Sequence, residues 1–489
     1  MTDQNQLGDD SLQAQLPSWA RAADYIVFLL FIMALTVPLS GGVRLRSGAL
    51  RFTVTSPYRL VVWAALILFL RHVFARQQPI HWHLWEAIHR WASSTPVRAA
   101  ATTLIGTRLA IFLIGYLAVL VIGYPPGAPP VEFRNDAGEL FNLPLRWDAG
   151  WYLRIARFGY DYSGGIGTAG QQPIVFFPAL PMATRIVAVL LGGKAGSYVL
   201  AGTLVSLTAF FCALMYVYLI ARLKFGDEES RAALWLLAAF PFAYFYGAIY
   251  TESLFLLGAA GAFFHAHHRQ YVRAGAWGLL VGLTKPNGFL LSVPLLIMAM
   301  APWLPPSLTG AHISTERRVR TWTAALAGVA MAVMPVVGTM IFSAFVWNLT
   351  GSPIAWAMGH AAWGRHYTGL AVLVTDRYRV IANEGFAGYL SQGPLDFLNA
   401  IGVVFVLGTV WPVARRLGLA YAIFIVLSIL PPLAQGGMLS AGRLSSVLFP
   451  AFIWFASVVP SRHRSGWILS FAANQALNAT LFYTWRPLF

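Results

Sequence analysis

The sequence predicts an all-α polytopic membrane protein with one membrane domain. Of its 489 residues, 58% are hydrophobic and only 11% are charged, which is too little charge to cover the surfaces of several soluble domains. The apolar residues also cluster in runs of about 20, the length that a helix needs to cross a bilayer core of about 30 Å. These two observations exclude an ordinary soluble protein.

The apolar runs predict about thirteen membrane spans. They lie near residues 22–40, 57–75, 101–123, 198–221, 232–248, 252–268, 274–284, 287–303, 322–345, 397–414, 418–434, 444–460 and 465–483. The apolar segment 174–192 carries Pro178, Pro181 and Arg185, so we expect it to form a helix at the membrane interface.

Basic residues in the short loops predict the orientation of the chain. Five groups fall on one side of the thirteen-span arrangement, and we assign that side to the cytoplasm. They are Arg222, Lys224 and Arg231; Arg269 and Arg273; Arg317, Arg318 and Arg320; Arg415 and Arg416; and Arg462 and Arg464. The N-terminus is then inside, the C-terminus is outside, and two long loops, 124–172 and 346–396, face outward. Long loops in a compact membrane protein are usually functional.

The charge of the chain indicates which partners to expect. The formal net charge is +16, and only three of the 34 basic residues are lysines. The guanidinium of arginine can donate two hydrogen bonds to one phosphate, which suits the phosphates of lipid headgroups. Nucleic acid is not expected as a partner, because the basic residues sit singly in short loops and form no dense patch. The single cysteine, Cys212, allows no intrachain disulfide.

No metal or cofactor is expected from the sequence. The histidine pair His81 and His83 and the group His265, His267 and His268 fall on the predicted cytoplasmic side, where we interpret them as interfacial residues. The chain also has no P-loop, no glycine-rich dinucleotide motif and no Asp-x-Asp. A soluble nucleotide-sugar donor held through a metal is therefore poorly supported.

The first outer loop contains the run Arg146-Trp147-Asp148-Ala149-Gly150-Trp151-Tyr152. On a helix, Trp147 and Trp151 share a face that suits the headgroup boundary, and Asp148 and Tyr152 lie beside that face. We interpret Asp148 as a catalytic carboxylate. The alternative is a helix cap or a salt bridge with Arg146 or with a distant arginine.

Further charged residues fall at the same outer edge. Glu252 begins a span and is either a functional group or part of an N-terminal capping box. Lys285 interrupts a hydrophobic hairpin, and Arg443 precedes a late span. The second outer loop adds a further set of cations, namely Arg365, His366, Arg377 and Arg379.

A carboxylate and several cations on one membrane face suit the transfer of a group from a lipid phosphate. The carboxylate can accept the proton of an acceptor hydroxyl, and the cations can stabilise the departing phosphate. A phosphate is a good leaving group, so the acid of a hydrolase's carboxylate pair is unnecessary.

The motifs resemble those of the PIG-V family, the second mannosyltransferase of GPI-anchor synthesis and its bacterial relatives. The resemblance covers roughly residues 101–484. It rests on Arg146-Trp147-Asp148-Ala149, Arg157-Phe158-Gly159-Tyr160, Phe176-Phe177-Pro178-Ala179-Leu180-Pro181, Tyr250-Thr251-Glu252-Ser253, Thr284-Lys285-Pro286-Asn287-Gly288, and Arg443 with Phe449-Pro450.

The family resemblance implies a GT-C fold and an inverting α-mannosyl transfer from a polyprenyl- or dolichyl-phosphate-mannose donor to a glycolipid or lipid-anchored acceptor. It also implies that Asp148 is essential. The predicted catalytic residues are Asp148 and Glu252. The predicted substrate-binding residues are Arg146, Trp147, Trp151, Tyr152, Lys285, Asn287 and Arg443.

The chain departs from the family at its front. Residues 1–100 look like an addition, with a cytoplasmic N-terminus, two extra spans joined near Arg44-Leu45-Arg46, and a cytoplasmic interfacial segment. Residues 101–484 are the predicted catalytic domain. Lys285 stands where the family has an arginine, which keeps the positive charge but loses the planar guanidinium that can form two parallel hydrogen bonds. The single cysteine and the arginine bias favour a bacterial inner membrane, with the active site facing outward, over the endoplasmic reticulum.

Two alternatives stay open at this point. A transporter or flippase of a lipid-linked sugar should place its charged groups near the middle of the membrane, often on broken helices. A structural or assembly subunit would not need Asp148.

Overall fold

The computed structural model describes residues 17–40, 43–47, 50–54, 56–76, 79–128, 133–168, 170–303, 321–438 and 440–486. The predicted basic cluster at Arg317, Arg318 and Arg320 lies outside these residues. The chain divides into two compact units. The smaller takes the chain up to Arg98 together with Ile186–Ser197, and the larger takes Ala99–Arg185 and Tyr198–Phe489. The functional division at residue 100 stays a prediction.

The smaller unit contains the two helices that were predicted as extra spans. Its elements are α1 (Ser18–Ser40), β1 (Val43–Ser47), β2 (Leu50–Val54), α2 (Pro57–Phe74) and α3 (Ile80–Ser93). The strands form an antiparallel hairpin in which Val43 lies opposite Val54. This hairpin departs from the all-α prediction. A fully buried ion pair joins α1 to α2, with Arg71 Nε 2.9 Å from Asp24 Oδ1.

The larger unit is helical in its described part. Its helices are α4 (Thr95–Ile122), α5 (Glu139–Asn142), α6 (Ala149–Phe158), α7 (Ala179–Leu190), α8 (Ala195–Arg222), α9 (Asp227–Ala239), α10 (Glu252–His267), α11 (Tyr271–Gly282), α12 (Ser292–Met300), α13 (Trp322–Thr350), α14 (Ala355–Met358), α15 (Gly369–Gln392), α16 (Pro394–Gly408), α17 (Val410–Arg416), α18 (Leu419–Gly436), α19 (Ala441–Ser446), α20 (Phe449–Val458) and α21 (Ser461–Tyr483). Short 3₁₀ segments cover Pro173–Val175, Ala243–Gly247, Pro286–Leu291, Ala301–Trp303 and Gly359–Trp363.

Several helices are long and apolar enough to cross a bilayer, which indicates an integral membrane protein. Among the described residues, six segments are long and apolar enough to span: Pro57–Phe74, Thr95–Ile122, Ala195–Arg222, Pro286–Trp303, Trp322–Thr350 and Pro394–Arg416. The predicted count of about thirteen is not confirmed. The helices α10, α11 and α20 have only 16, 12 and 10 residues, although each overlaps a predicted span.

The predicted span at 232–248 is broken in the middle. Helix α9 ends at Ala239, and Pro241 separates it from the 3₁₀ segment Ala243–Gly247, because proline lacks the N–H that would continue the helix. Side chains of other helices donate hydrogen bonds to backbone carbonyls near this break. Arg108 of α4 donates to the Ala238 and Ala243 oxygens at 2.8 and 2.6 Å, and Asn478 of α21 donates to the Pro241 oxygen at 3.1 Å. These contacts fix the turn that leads to Glu252.

Close packing of α11 against α13 fixes the position of Lys285. A Cβ at Gly282 would lie 2.0 Å from the carbonyl oxygen of Pro335, so only glycine permits this approach. The Thr339 hydroxyl of α13 also donates to the Gly282 oxygen at 3.1 Å. The chain therefore leaves α11 along a defined path towards Lys285.

The two predicted outer loops contain helices and pack against each other. The first holds α5 and α6, and the second holds α14, the segment Gly359–Trp363 and α15. A Cβ at Gly167 of the first loop would lie 3.0 Å from the carbonyl oxygen of Met358 in the second. The interfacial positions of α6 and α7 and the side of the membrane that these loops face stay predictions.

Candidate active site

Asp148 lies immediately before α6 at a sharp turn of the chain. The preceding Trp147 has φ +54°, a left-handed conformation that is uncommon for a bulky residue. The Asp148 backbone N–H donates to the Tyr250 hydroxyl at 3.0 Å, which anchors the turn. The Asp148 side chain makes no capping hydrogen bond. Its carboxylate is 27% exposed and Oδ2 lies 3.3 Å from Arg443 Nη1. The alternative of a helix cap is therefore not observed, whereas a salt bridge with a distant arginine is.

Arg443 joins two carboxylates through one guanidinium. On α19, its Nε lies 2.9 Å from Glu252 Oε1, while Nη1 faces Asp148. The guanidinium also lies over the ring of Tyr250, with its carbon 5.2 Å from the ring centroid, and over the ring of Phe245 at 5.6 Å. Asp148 and Arg443 are 295 positions apart in the sequence, and the fold brings them together.

Glu252 and Lys285 form a buried ion pair behind Arg443. Lys285 Nζ lies 2.6 Å from Glu252 Oε1, and the two side chains are 6% and 0% exposed. Thr251, at the N-cap of α10, makes no side-chain capping bond, so the predicted capping box does not form. Because Glu252 is enclosed and holds two cations, it has no open path to an acceptor hydroxyl in this structure. The catalytic role of Glu252 stays a prediction.

Arg146 is a structural residue in this arrangement. Its side chain is 1% exposed, and all five N–H donors of its guanidinium are used within the protein. The acceptors are the backbone oxygens of Asn142, Leu145 and Tyr483, the Tyr124 hydroxyl and the Glu139 carboxylate. No guanidinium donor is left for a substrate in this structure, and the binding role of Arg146 stays a prediction. Burial of Arg146 instead ties the first outer loop to the end of α21.

Aromatic side chains connect the two outer loops beside Asp148. The Trp151 ring stacks on Phe176 at 5.7 Å and meets the edge of Trp363 at 5.9 Å. Tyr152 is buried against Phe176, and burial raises the pKa of its hydroxyl, so that it stays protonated at neutral pH. Trp147 donates from Nε1 to the Phe482 oxygen at 3.3 Å. Trp147, Trp151 and Trp363 are half-buried, so these three rings have surface left for a ligand.

The remaining predicted site residues do not all join the cluster. Asn287 is half-buried and points to α18, where it donates to the Ser428 oxygen at 3.5 Å. In the second loop, Arg377 forms an ion pair with Asp396, and Arg379 lies 3.5 Å from Asp376. Only Arg365 of the loop arginines approaches Arg443 and Asp148. Burial first, and then the charge of Arg443, lower the pKa of Arg365 to about 10.

Two residues of this site were not singled out in the sequence. Tyr250 appeared only within a motif, although its hydroxyl holds the Asp148 backbone. Ser440, which accepts a hydrogen bond from Arg365 Nη2 at 3.2 Å, has φ +61° and is 5% exposed. A serine in left-handed conformation cannot be recognised from sequence spacing.

The described residues contain no group of three or more His, Cys, Asp or Glu side chains that could hold a metal ion. The side chains of His81 and His83 lie outside the described residues. His265 bonds to the Tyr216 hydroxyl at 3.0 Å and to Gln270. These contacts are those of a packed histidine at a helix end.

The Mannosyltransferase (PIG-V) family model matches residues 107–305. The resemblance that the motifs predicted is thereby confirmed over this range, which includes Asp148, Glu252 and Lys285 and ends before Arg443. A search of curated proteins finds no significant match.

Solved structures similar to this chain are those of the Archaeoglobus fulgidus oligosaccharyltransferase. Its complex with zinc and sulfate has 15% identity and a TM-score of 0.37, and the match covers 77% of this chain and 53% of that one. The same enzyme, AglB, with an inhibitory peptide and a dolichol-phosphate has 14% identity and a TM-score of 0.35, over 78% and 55% of the chains. The present chain thus spans about half the length of those proteins, and similarity at this level carries no conclusion about function.

Proposed function

We propose that this protein is an inverting mannosyltransferase of GT-C type. It transfers a mannosyl group from a polyprenyl-phosphate-linked donor to a glycolipid or other membrane-associated acceptor on the non-cytoplasmic face. The observation that carries the proposal is the partly exposed Asp148 carboxylate, which lies in the range matched by the PIG-V family model and forms an ion pair with Arg443. A carboxylate in contact with both solvent and a fixed cation is suited to proton transfer next to an anionic leaving group.

The reaction proceeds as a single displacement. Asp148 accepts the proton of the acceptor hydroxyl while that oxygen attacks the anomeric carbon of the donor. The bond from this carbon to the phosphate oxygen breaks, and its electrons leave with the polyprenyl phosphate. Attack opposite to the leaving group inverts the anomeric configuration. Glu252 and Lys285 do not touch the reacting atoms, and their task is to hold Arg443.

Arg443 has two tasks in this scheme. Its ion pair with Asp148 orients the carboxylate, and its positive charge lies close to the region where we expect phosphate charge to develop. The aromatic group around Trp151 supplies an apolar wall for the donor sugar or its lipid. The outward-facing position rests on the charge asymmetry of the short loops.

Incubation of the purified protein in lipid nanodiscs with labelled polyprenyl-phosphate-mannose and candidate glycolipid acceptors tests the proposal. We expect a mannosylated lipid product and free polyprenyl phosphate, and no product from a nucleotide-linked mannose. A transporter or flippase is the second candidate function. Transport assays in proteoliposomes distinguish it from a transferase. Movement of labelled lipid-linked sugar across the vesicle membrane without formation of a new glycosidic bond would replace the transferase with the transporter.

A further inference from the structure

Arg365 differs from the other cations of the site in its pairing. Lys285 and Arg443 both contact carboxylates, at 2.6 Å and 2.9 Å from Glu252. Arg365 comes from the second outer loop and, among the described residues, has no carboxylate within ion-pair distance. Its guanidinium makes one hydrogen bond there, from Nη2 to Ser440 Oγ. Four of its five N–H donors are therefore free of protein acceptors in the described part of the chain.

The surroundings of Arg365 are electrostatically unbalanced. Two carboxylates, Asp148 and Glu252, stand against three cations, Lys285, Arg443 and Arg365, which leaves an excess of one positive charge. The lowered pKa of Arg365, about 10, reflects burial and the repulsion of Arg443, with partial compensation by Asp148. Since this pKa lies well above neutrality, the guanidinium stays charged. Two like charges brought together in a half-buried site favour the binding of an anion between them.

Arg365 and Ser440 are suited to bind such an anion together. Arg365 is half-buried, so part of its side chain is open to a ligand. Ser440 Oγ accepts from Arg365, so its own hydroxyl proton is available to a second acceptor. A planar guanidinium with free donors next to a hydroxyl suits the tetrahedral oxygens of phosphate.

We propose that Arg365, with Ser440, forms the phosphate-binding subsite for the lipid-linked donor and for the polyprenyl phosphate that leaves. This inference rests on the proposed function and assigns the phosphate contact to the second outer loop, beyond the range that the family model matches. Arg443 then serves mainly Asp148 and Glu252, and Lys285 is closed off from the donor by burial.

Binding measurements on the full-length protein in nanodiscs test the subsite without turnover. The probes are farnesyl phosphate, inorganic phosphate and farnesol, with affinities measured by isothermal titration calorimetry. Arg365→Gln removes the charge, and Arg365→Lys keeps the charge without the fork. Arg379→Gln is the matched control, because Arg379 lies in the same loop with its side chain 74% exposed.

We expect Arg365→Gln to weaken farnesyl phosphate binding about 10- to 100-fold, the effect of losing hydrogen bonds to a charged group. Arg365→Lys should recover part of this affinity, Arg379→Gln should bind like the wild type, and farnesol binding should be the same in all variants. Thermal unfolding should also be similar for each variant, since Arg365 makes no ion pair in the described part of the protein.

Wild-type affinity in Arg365→Gln, together with normal mannosyl transfer, would overturn the Arg365 subsite and leave the transferase intact. Equal affinities for inorganic phosphate and farnesyl phosphate would overturn the lipid-linked source of the phosphate. If the wild-type protein bound no farnesyl phosphate but still transferred mannose, the subsite alone would fall. Absence of both binding and transfer would overturn the subsite and the proposed function together.

Discussion

The Glu252→Gln substitution separates structural from catalytic carboxylates in this site. Glu252 is fully buried and lies 2.6 Å from Lys285 and 2.9 Å from Arg443. After the substitution, Arg443 still faces Asp148, whereas Lys285, 6% exposed, loses its carboxylate partner. Leaving one charge of a buried pair without compensation costs about 3–5 kcal/mol in the free energy of unfolding. We therefore expect Glu252→Gln to lower the apparent Tm by several degrees and to reduce the amount of folded protein.

The matched control is Asp161→Asn, which breaks an exposed ion pair of similar length. Arg154 Nη2 lies 2.8 Å from Asp161 Oδ2, and the side chains are 45% and 59% exposed. Such pairs contribute about 0–1 kcal/mol, so the Tm should hardly change. The double variant Glu252→Gln/Lys285→Met removes both partners and should regain much of the lost stability. Thermal unfolding in detergent, followed by intrinsic fluorescence, measures all three. Equal Tm values for Glu252→Gln and Asp161→Asn would refute the buried pair.

Further predictions concern the donor, the orientation and the pH dependence. Arg443→Gln should raise the donor KM and lower kcat, because the variant loses both the ion pair with Asp148 and a positive charge near the proposed phosphate subsite; a change in KM alone would leave it a binding residue only. In a chain with Cys212 replaced by serine, impermeant maleimide applied outside should label cysteine introduced for Arg379 but not cysteine introduced for Glu228, and the reverse pattern would invert the orientation. His360 has its pKa lowered to about 4 by burial and then by Arg365, so it stays neutral above pH 5. His360→Gln should leave the shape of the pH–rate profile between pH 5.5 and 8 unchanged, and loss of a titration step would contradict this.

The sequence predicted the general location of the site better than the roles of its residues. Sorting of basic residues between the loops placed Asp148, Lys285 and Arg443 on one membrane face, and the fold indeed brings these three together around Glu252. Arg146 and Asp148 look equally exposed in the motif. Their environments differ because the left-handed turn at Trp147 directs the Arg146 side chain into the protein and leaves the Asp148 side chain partly exposed.

One predicted span differs from the structure for a physical reason. Hydropathy measures how apolar a segment is, but it does not show whether the backbone continues as one helix. Pro241 divides the apolar run at 232–248, and Arg108 and Asn478 satisfy the carbonyls at the break from distant parts of the chain. Contacts between residues more than 100 positions apart leave no local pattern in the sequence. The hydrogen bond from Arg365 to Ser440, 75 positions further along the chain, is likewise a non-local contact.

Turnover of Asp148→Asn at saturating donor and acceptor tests the central claim most directly. The amide keeps the size of the side chain but cannot accept the proton of the acceptor hydroxyl, and loss of a general base costs about 100- to 10,000-fold in rate. Asp148 is 27% exposed and Arg443 keeps its contact with Glu252, so the Tm should change little. We predict a correctly folded variant whose kcat is at least about 100-fold below wild type. A folded Asp148→Asn variant that turns over within about threefold of wild type would contradict the assignment of Asp148 as the base.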